Sequence, residues 1–254
     1  MGFLHEGHLS LVKKSKKQTD VTFVSIFVNP TQFAPNEDFA KYPRDIIKDK
    51  KLLKKFNVDY LFIPSADEIY SDNFQTTVEV NKISKLLEGE FRPTHFKGVT
   101  TIVSILFNIV NPDIAYFGQK DAQQAAVIKQ MVKDLKFDIK INVRPIVREK
   151  DGLALSSRNI YLSSKEREDA LIINKSLKLA EKLIKDGEKK SENIITSMKE
   201  IITSVETSKL DYVKIVNSET FEIVDDILTG DKIYILIACK IGATRLIDNC
   251  LIKI

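Results

Sequence analysis

The chain is 254 residues long, 43% hydrophobic and 29% charged, a globular composition with length for one large domain or two modest ones. It holds no run of about 18 apolar residues that would span a membrane, and 39 Lys and Arg against 35 Asp and Glu leave a net charge of +4, too mild to point to nucleic acid. Two cysteines and no basic-then-apolar leader argue against a disulfide scaffold and set the expectation of a reducing, cytoplasmic setting.

The first ten residues, MGFLHEGHLS, contain two of the three histidines. If a helix starts here, His5 and His8 lie about one turn apart and face one point. That geometry suits a phosphate better than a metal, because a third ligand is missing and Cys239 and Cys250 lie far along the chain. By itself HxGH is equally well read as a solvated helix start.

DVTFVSIFVN then reads as a strand buried on both faces, RDIIKDKKLLKKF as an amphipathic helix whose lysines form its solvated face, and DYLFIP as a second strand. After an extended TTVEVN come a buried helix (VTTIVSILFNIV), a strand (DIAYFG), a helix (AQQAAVIKQMVKDL) and a further strand (KINVRPIV). This βαβ rhythm predicts an α/β domain over 1–146, a parallel sheet with helices on both faces. From 147 to 254 the pattern changes. A capping box at Ser163 and Glu166 opens one long helix to Gly187, a second helix covers 191–204, and LDYVKIVN, KIYILIACKIG and TRLIDNCLIKI read as strands of a smaller α+β domain.

Polar residues gather where strands of the first domain end. Asn29 and Gln32 sit in NPTQF, Gly118 to Asp121 (GQKD) join a strand to a helix N-terminus, and LSSRN at 155–159 opens the second domain. A glycine, a lysine, two hydroxyls and a guanidinium at these places predict a polyphosphate clamped between the domains. Singly, each has a plainer reading: Asn29 ends a strand, Ser156 and Ser157 form a turn, Lys120 is solvated, Arg158 is structural.

HxGH, FVNPTQF, YPRD, RPTHFKGV, YFGQKDAQQ and LSSRNIYLS, in this order and continuing to RLIDN, closely resemble the pantoate-β-alanine ligase family. The likeness covers essentially the whole chain. It implies a Rossmann-like fold of the nucleotidylyltransferase superfamily, whose HxGH is related to the HIGH signature of class I aminoacyl-tRNA synthetases, with the C-terminal domain as a lid. It also implies condensation of D-pantoate with β-alanine, using ATP and Mg²⁺ and releasing AMP and pyrophosphate through a pantoyl adenylate, by a homodimer. Carried over, Met1, Gly2, Phe3, Leu4, His5, Glu6, Gly7 and His8 cover ATP, with His8 as proton donor. Gly118, Gln119, Lys120, Asp121, Val147, Leu155, Ser156, Ser157 and Arg158 complete the nucleotide contacts. Gln32 and Gln124 match the pantoate glutamines, Gln32 also borders β-alanine, and Asn29 joins them at the substrate.

Pantoate's carboxylate is already ionised near neutral pH, so its attack on phosphorus needs charge neutralisation rather than a base. His5, His8, Lys120 and Arg158 are the expected donors to the departing oxygens, while His95 and Arg92 are expected to order the pocket wall. Metal ligands are not identified. In the family an apolar strand and a Pro-Thr pair precede the methionine that is residue 1 here, which sets the expectation of roughly 20 to 30 upstream residues, one strand plus a lead-in helix. The rival readings are another HxGH nucleotidyltransferase and an N-terminally truncated, inactive nucleotide-binding protein.

Overall fold

The computed structural model describes residues 2–34 and 37–254. Met1, expected at ATP, lies outside the described residues. The chain divides into two compact units, Met1–Pro145 and Ile146–Ile254.

In the first unit, helix α1 (Glu6–Gln18) buries Leu9 and Val12 in a core with Leu4, Val24, Ile26 and Leu53. Strand β1 (Phe23–Ser25), helix α2 (Ile46–Lys55) and strand β2 (Tyr60–Phe62) form a βαβ unit, β1 and β2 pairing in parallel. β1 is shorter than the apolar run that predicted it. Ile26 N–H still donates to the Phe62 carbonyl at 2.9 Å, but the chain then leaves for a tight 3₁₀ turn at Pro30–Gln32, whose proline has no N–H for a ladder. The short helices α3 (Ala66–Ile69) and α4 (Glu88–Phe91) precede α5 (His95–Val110). Strand β3 (Ile114–Gly118), helix α6 (Ala122–Asp134) and strand β4 (Lys140–Arg144) make a second parallel βαβ unit. The parallel strands expected here pair as two ladders, β1–β2 and β3–β4, among the described residues. Periodicity identifies a strand but carries no record of which strands pair.

The second unit is α+β. The expected long helix after the Ser163–Glu166 capping box is two helices, α7 (Ser164–Asp169) and α8 (Leu171–Lys185). At Ala170 the chain tightens, Ile173 N–H closing on the Ala170 carbonyl at 3.2 Å. This turn lets α7 lay Arg167 across Glu149 and Asp151, both at 2.8 Å, while α8 buries Ile173 and Leu177. Helix α9 (Ser191–Thr203) packs beside α8, and β5 (Ser208–Asn217), β6 (Lys232–Ile241) and β7 (Thr244–Lys253) form an antiparallel sheet with β6 central. Fully buried Met198, Ile215, Ile233 and Ile235 join the two layers. Alternation along β6 is suppressed because the strand is buried on both faces, with Ile235 and Ile237 on one and Leu236 and Ala238 on the other.

Candidate active site

The HxGH turn begins α1, and its two histidines cap the helix reciprocally. His5 Nδ1 accepts from the Gly7 N–H at 3.2 Å, and His8 Nδ1 accepts from the His5 N–H at 3.4 Å. The ring centroids are 4.0 Å apart. An accepting Nδ1 carries no proton, so each neutral ring bears its hydrogen on Nε2. Burial, then the charge of Lys120, lowers the His5 pKa to about 4. His8 is pushed well below the ordinary histidine value, first by burial and then by His5 and Lys120. Both imidazoles are neutral N–H donors at pH 7.

Lys120 reaches them from the end of β3. Gly118 closes that strand, Gln119–Asp121 form a 3₁₀ turn, and α6 follows at Ala122. Lys120 Nζ lies 3.6 Å from Asp121 Oδ1. The first unit therefore gathers two imidazole N–H donors, an ammonium and a helix N-terminus, the groups that receive a polyanion.

In the NPTQF segment a network of hydrogen bonds shapes the turn that carries Gln32. Asn29 is 3% exposed, and its Oδ1 accepts from Thr31 N–H (3.3 Å), Thr31 Oγ1 (3.0 Å) and Tyr70 Oη (2.8 Å), while its Nδ2 donates to the Gly98 carbonyl at 3.1 Å. These bonds commit the Asn29 oxygen to shaping the turn that carries Gln32. At Gly98 a Cβ would fall 2.4 Å from the Thr31 carbonyl oxygen, so only glycine lets α5 come this close. The Gln32 carbonyl accepts from His95 Nδ1 and from Arg92 Nη2, each at 3.1 Å, and Arg92 is held by Glu37 through two bonds of 2.7 and 2.8 Å. A carbonyl only accepts, so His95 keeps its proton on Nδ1. Burial first, then Arg92, lowers its pKa to about 4.

Of the paired glutamines on α6, Gln123 is 4% exposed. Its amide donates to the Ile83 and Leu86 carbonyls at 2.8 and 2.6 Å and accepts from Glu88 N–H at 3.1 Å. Gln124 is half-buried and takes no part in that network.

The remaining expected residues belong to the second unit. A hairpin closes between Arg148 and Ala154, turned by Gly152 at φ +101°, and Leu155 N–H donates to the Val147 carbonyl at 3.0 Å. Ser156 caps the 3₁₀ turn Ser157–Tyr161, accepting from Arg158 N–H at 3.3 Å, and Ser157 is buried. Arg148 anchors this hairpin through Asp248, at 2.5 and 3.0 Å, and through the Gly152 carbonyl at 3.1 Å. Arg148, Asp248, Tyr70, Gln123 and Asp49 escaped the sequence reading, since each acts on a segment remote from its own.

A family model described as pantoate-beta-alanine ligase matches residues 1–251. The chain belongs to the pantoate-β-alanine ligase family. A pantothenate synthetase of Thermoanaerobacter sp. (strain X514) is 57% identical over 251 residues, 99% of this chain and 88% of the relative. Among solved structures, the pantothenate synthetase of Thermus thermophilus superposes with a TM-score of 0.94 at 41% identity, covering 98% of this chain and 90% of that one. The pantoate-beta-alanine ligase of Francisella tularensis, complexed with beta-gamma ATP and beta-alanine, gives 0.79 at 39% identity over 99% of this chain and 87% of its own. The family's Rossmann-like reading of the first unit is consistent with its parallel βαβ units, and no helix of the described residues is long and apolar enough to cross a membrane.

Proposed function

We propose that the chain joins D-pantoate to β-alanine at the expense of ATP, through a pantoyl adenylate. The observation that carries this reading is the grouping of neutral His5 and His8 with Lys120 at the start of α1, inside a chain matched to the ligase family over residues 1–251. In the first step a pantoate carboxylate oxygen attacks the α-phosphorus and the bond to pyrophosphate breaks. Negative charge grows on the leaving oxygens, where Lys120 supplies positive charge and the two Nε2–H groups donate hydrogen bonds. In the second step the amine of β-alanine attacks the acyl carbon, AMP departs, and the amine loses its proton. His8 is assigned the proton-donor place as a neutral N–H.

Gln32 and Gln124 are the proposed pantoate contacts, each amide offering donor and acceptor to a hydroxy acid. Asn29, Arg92 and His95 hold the Gln32 turn in place. Gly2 to Gly7, Gly118 to Asp121, Val147 and Leu155 to Arg158 are assigned to the nucleotide on motif alone. No cluster of three His, Cys, Asp or Glu that would cage an ion occurs among the described residues. That donor set fits Mg²⁺ arriving on the ATP phosphates, since this ion keeps its waters and binds substrate oxygens. We further propose a cytoplasmic homodimer. The buried free thiols of Cys239 and Cys250 suit a reducing compartment, and sedimentation tests the dimer.

The deciding experiment is isotope exchange between pyrophosphate and ATP. Exchange that needs D-pantoate but not β-alanine, followed by AMP and amide formation once β-alanine is added, is expected. Exchange with a phosphate ester in place of pantoate would assign another nucleotidyltransferase. ATP binding without exchange would identify a silent nucleotide-binding protein.

A further inference from the structure

We propose that Asp49 is the positioning residue of the HxGH turn: its buried carboxylate fixes the backbone of Phe3 and Leu4 and so sets the pose of the His5 and His8 rings. The phosphate that those rings would meet rests on the functional reading above; the positioning itself does not.

Asp49 lies in the first turn of α2, a helix whose Lys48, Lys50, Lys51, Lys54 and Lys55 are all exposed. It is nevertheless 1% exposed. Its Oδ1 accepts the Leu4 N–H at 2.7 Å and its Oδ2 the Phe3 N–H at 2.8 Å. A buried carboxylate is costly unless hydrogen-bonded, and here it is bonded to two successive amides 45 and 46 positions away in the chain.

Phe3 has φ +49°, a left-handed backbone that a bulky side chain seldom adopts unsupported. Leu4 is buried in the core beside Leu53, the residue one turn along α2 from Asp49. The next residue is His5, the helix cap, whose N–H donates to His8 Nδ1. The path from carboxylate to imidazoles is therefore two peptide units long. Aiming of catalytic donors depends on such supporting bonds.

The test compares wild type with Asp49→Asn, which keeps the shape but turns an amide donor toward a backbone donor. With ¹⁵N-labelled histidine only three side chains report. The charged groups facing His5 are Lys120, Asp121 and Glu6, all retained in the variant. Expected is a His5 titration that rises from about 4 toward the ordinary 6.5 as the ring loosens into water, with His95 unchanged. In parallel, kcat for pantoate-dependent pyrophosphate exchange falls about 10- to 100-fold, while KM for β-alanine stays within twofold. If His5 and His8 titrate as in wild type and only the melting temperature drops, Asp49 is a fold residue and the proposal fails.

Should Asp49→Asn not fold, amide hydrogen exchange on wild type decides. Phe3 and Leu4 amides protected at least 10²-fold support the clamp, and exchange at the rate of free amides overturns it. Neither histidine titration nor amide exchange needs turnover. A chain inactive with pantoate would therefore refute the functional reading and leave this one standing or falling by itself.

Discussion

Lys120 illustrates how one side chain serves chemistry at little structural cost. It is only partly buried, and its partner Asp121 is half-exposed at 3.6 Å, so the pair contributes at most about 1 kcal/mol. Its charge nonetheless reaches both His5 and His8. Lys120→Ala is expected to slow adenylate formation by about 10² to 10³, the usual effect of deleting one oxyanion donor, while shifting the melting temperature by no more than a few degrees. Stopped-flow pyrophosphate release and calorimetry on one preparation check both halves. Near-normal turnover would remove Lys120 from the reaction.

At the scale of elements, close approaches hold the loops that carry polar groups. α5 meets the Pro30–Gln32 turn at Gly98, where no Cβ fits. Gly98→Ala forces the helix and the turn apart, and we expect KM for pantoate to rise at least tenfold with a smaller change in KM for ATP, measured by steady-state kinetics. In the second unit the hairpin that precedes Ser156 and Arg158 depends on Arg148 meeting the nearly buried Asp248. Arg148→Ala leaves that carboxylate uncompensated. Its cost is expected near 3 kcal/mol, the lower end for a broken buried pair because the arginine itself is partly exposed. Urea unfolding measures it, and the double variant with Asp248→Asn should recover part of the loss.

For the whole molecule the histidines make stability depend on pH in one direction. His5 and His95 titrate near 4 in the folded chain, and burial holds His8 well below its ordinary value, against 6.5 for a free imidazole. Below pH 6.5 the unfolded chain therefore binds protons that the native chain refuses. Their contribution is complete above pH 6.5 and is lost as pH falls from 6.5 toward 4. Melting temperature is expected to be level between pH 7 and 8 and to drop between 6.5 and 4.5. A rise over that acid range would mean the rings are charged in the native state.

Several features could be read from short stretches because their physics is short-ranged. HxGH caps its own helix, Ser163 and Glu166 cap α7, and apolar spacing places α2, α5, α6 and the three long C-terminal strands within a few residues of their bounds. GQKD joins strand to helix for the same reason. Contacts between distant segments left no local trace. Asp49 was hidden in a lysine run, and the only hint was its spacing of four from buried Leu53, on one helix face. The neighbours Gln123 and Gln124 are chemically identical, yet packing against the 83–88 turn engages one and spares the other. The bonds of Asn29 to Thr31, Tyr70 and Gly98 form only once α5 is in place. Strand pairing and the bend at Ala170 likewise depend on what lies across the core, where burial and hydrogen-bond closure outweigh local preference.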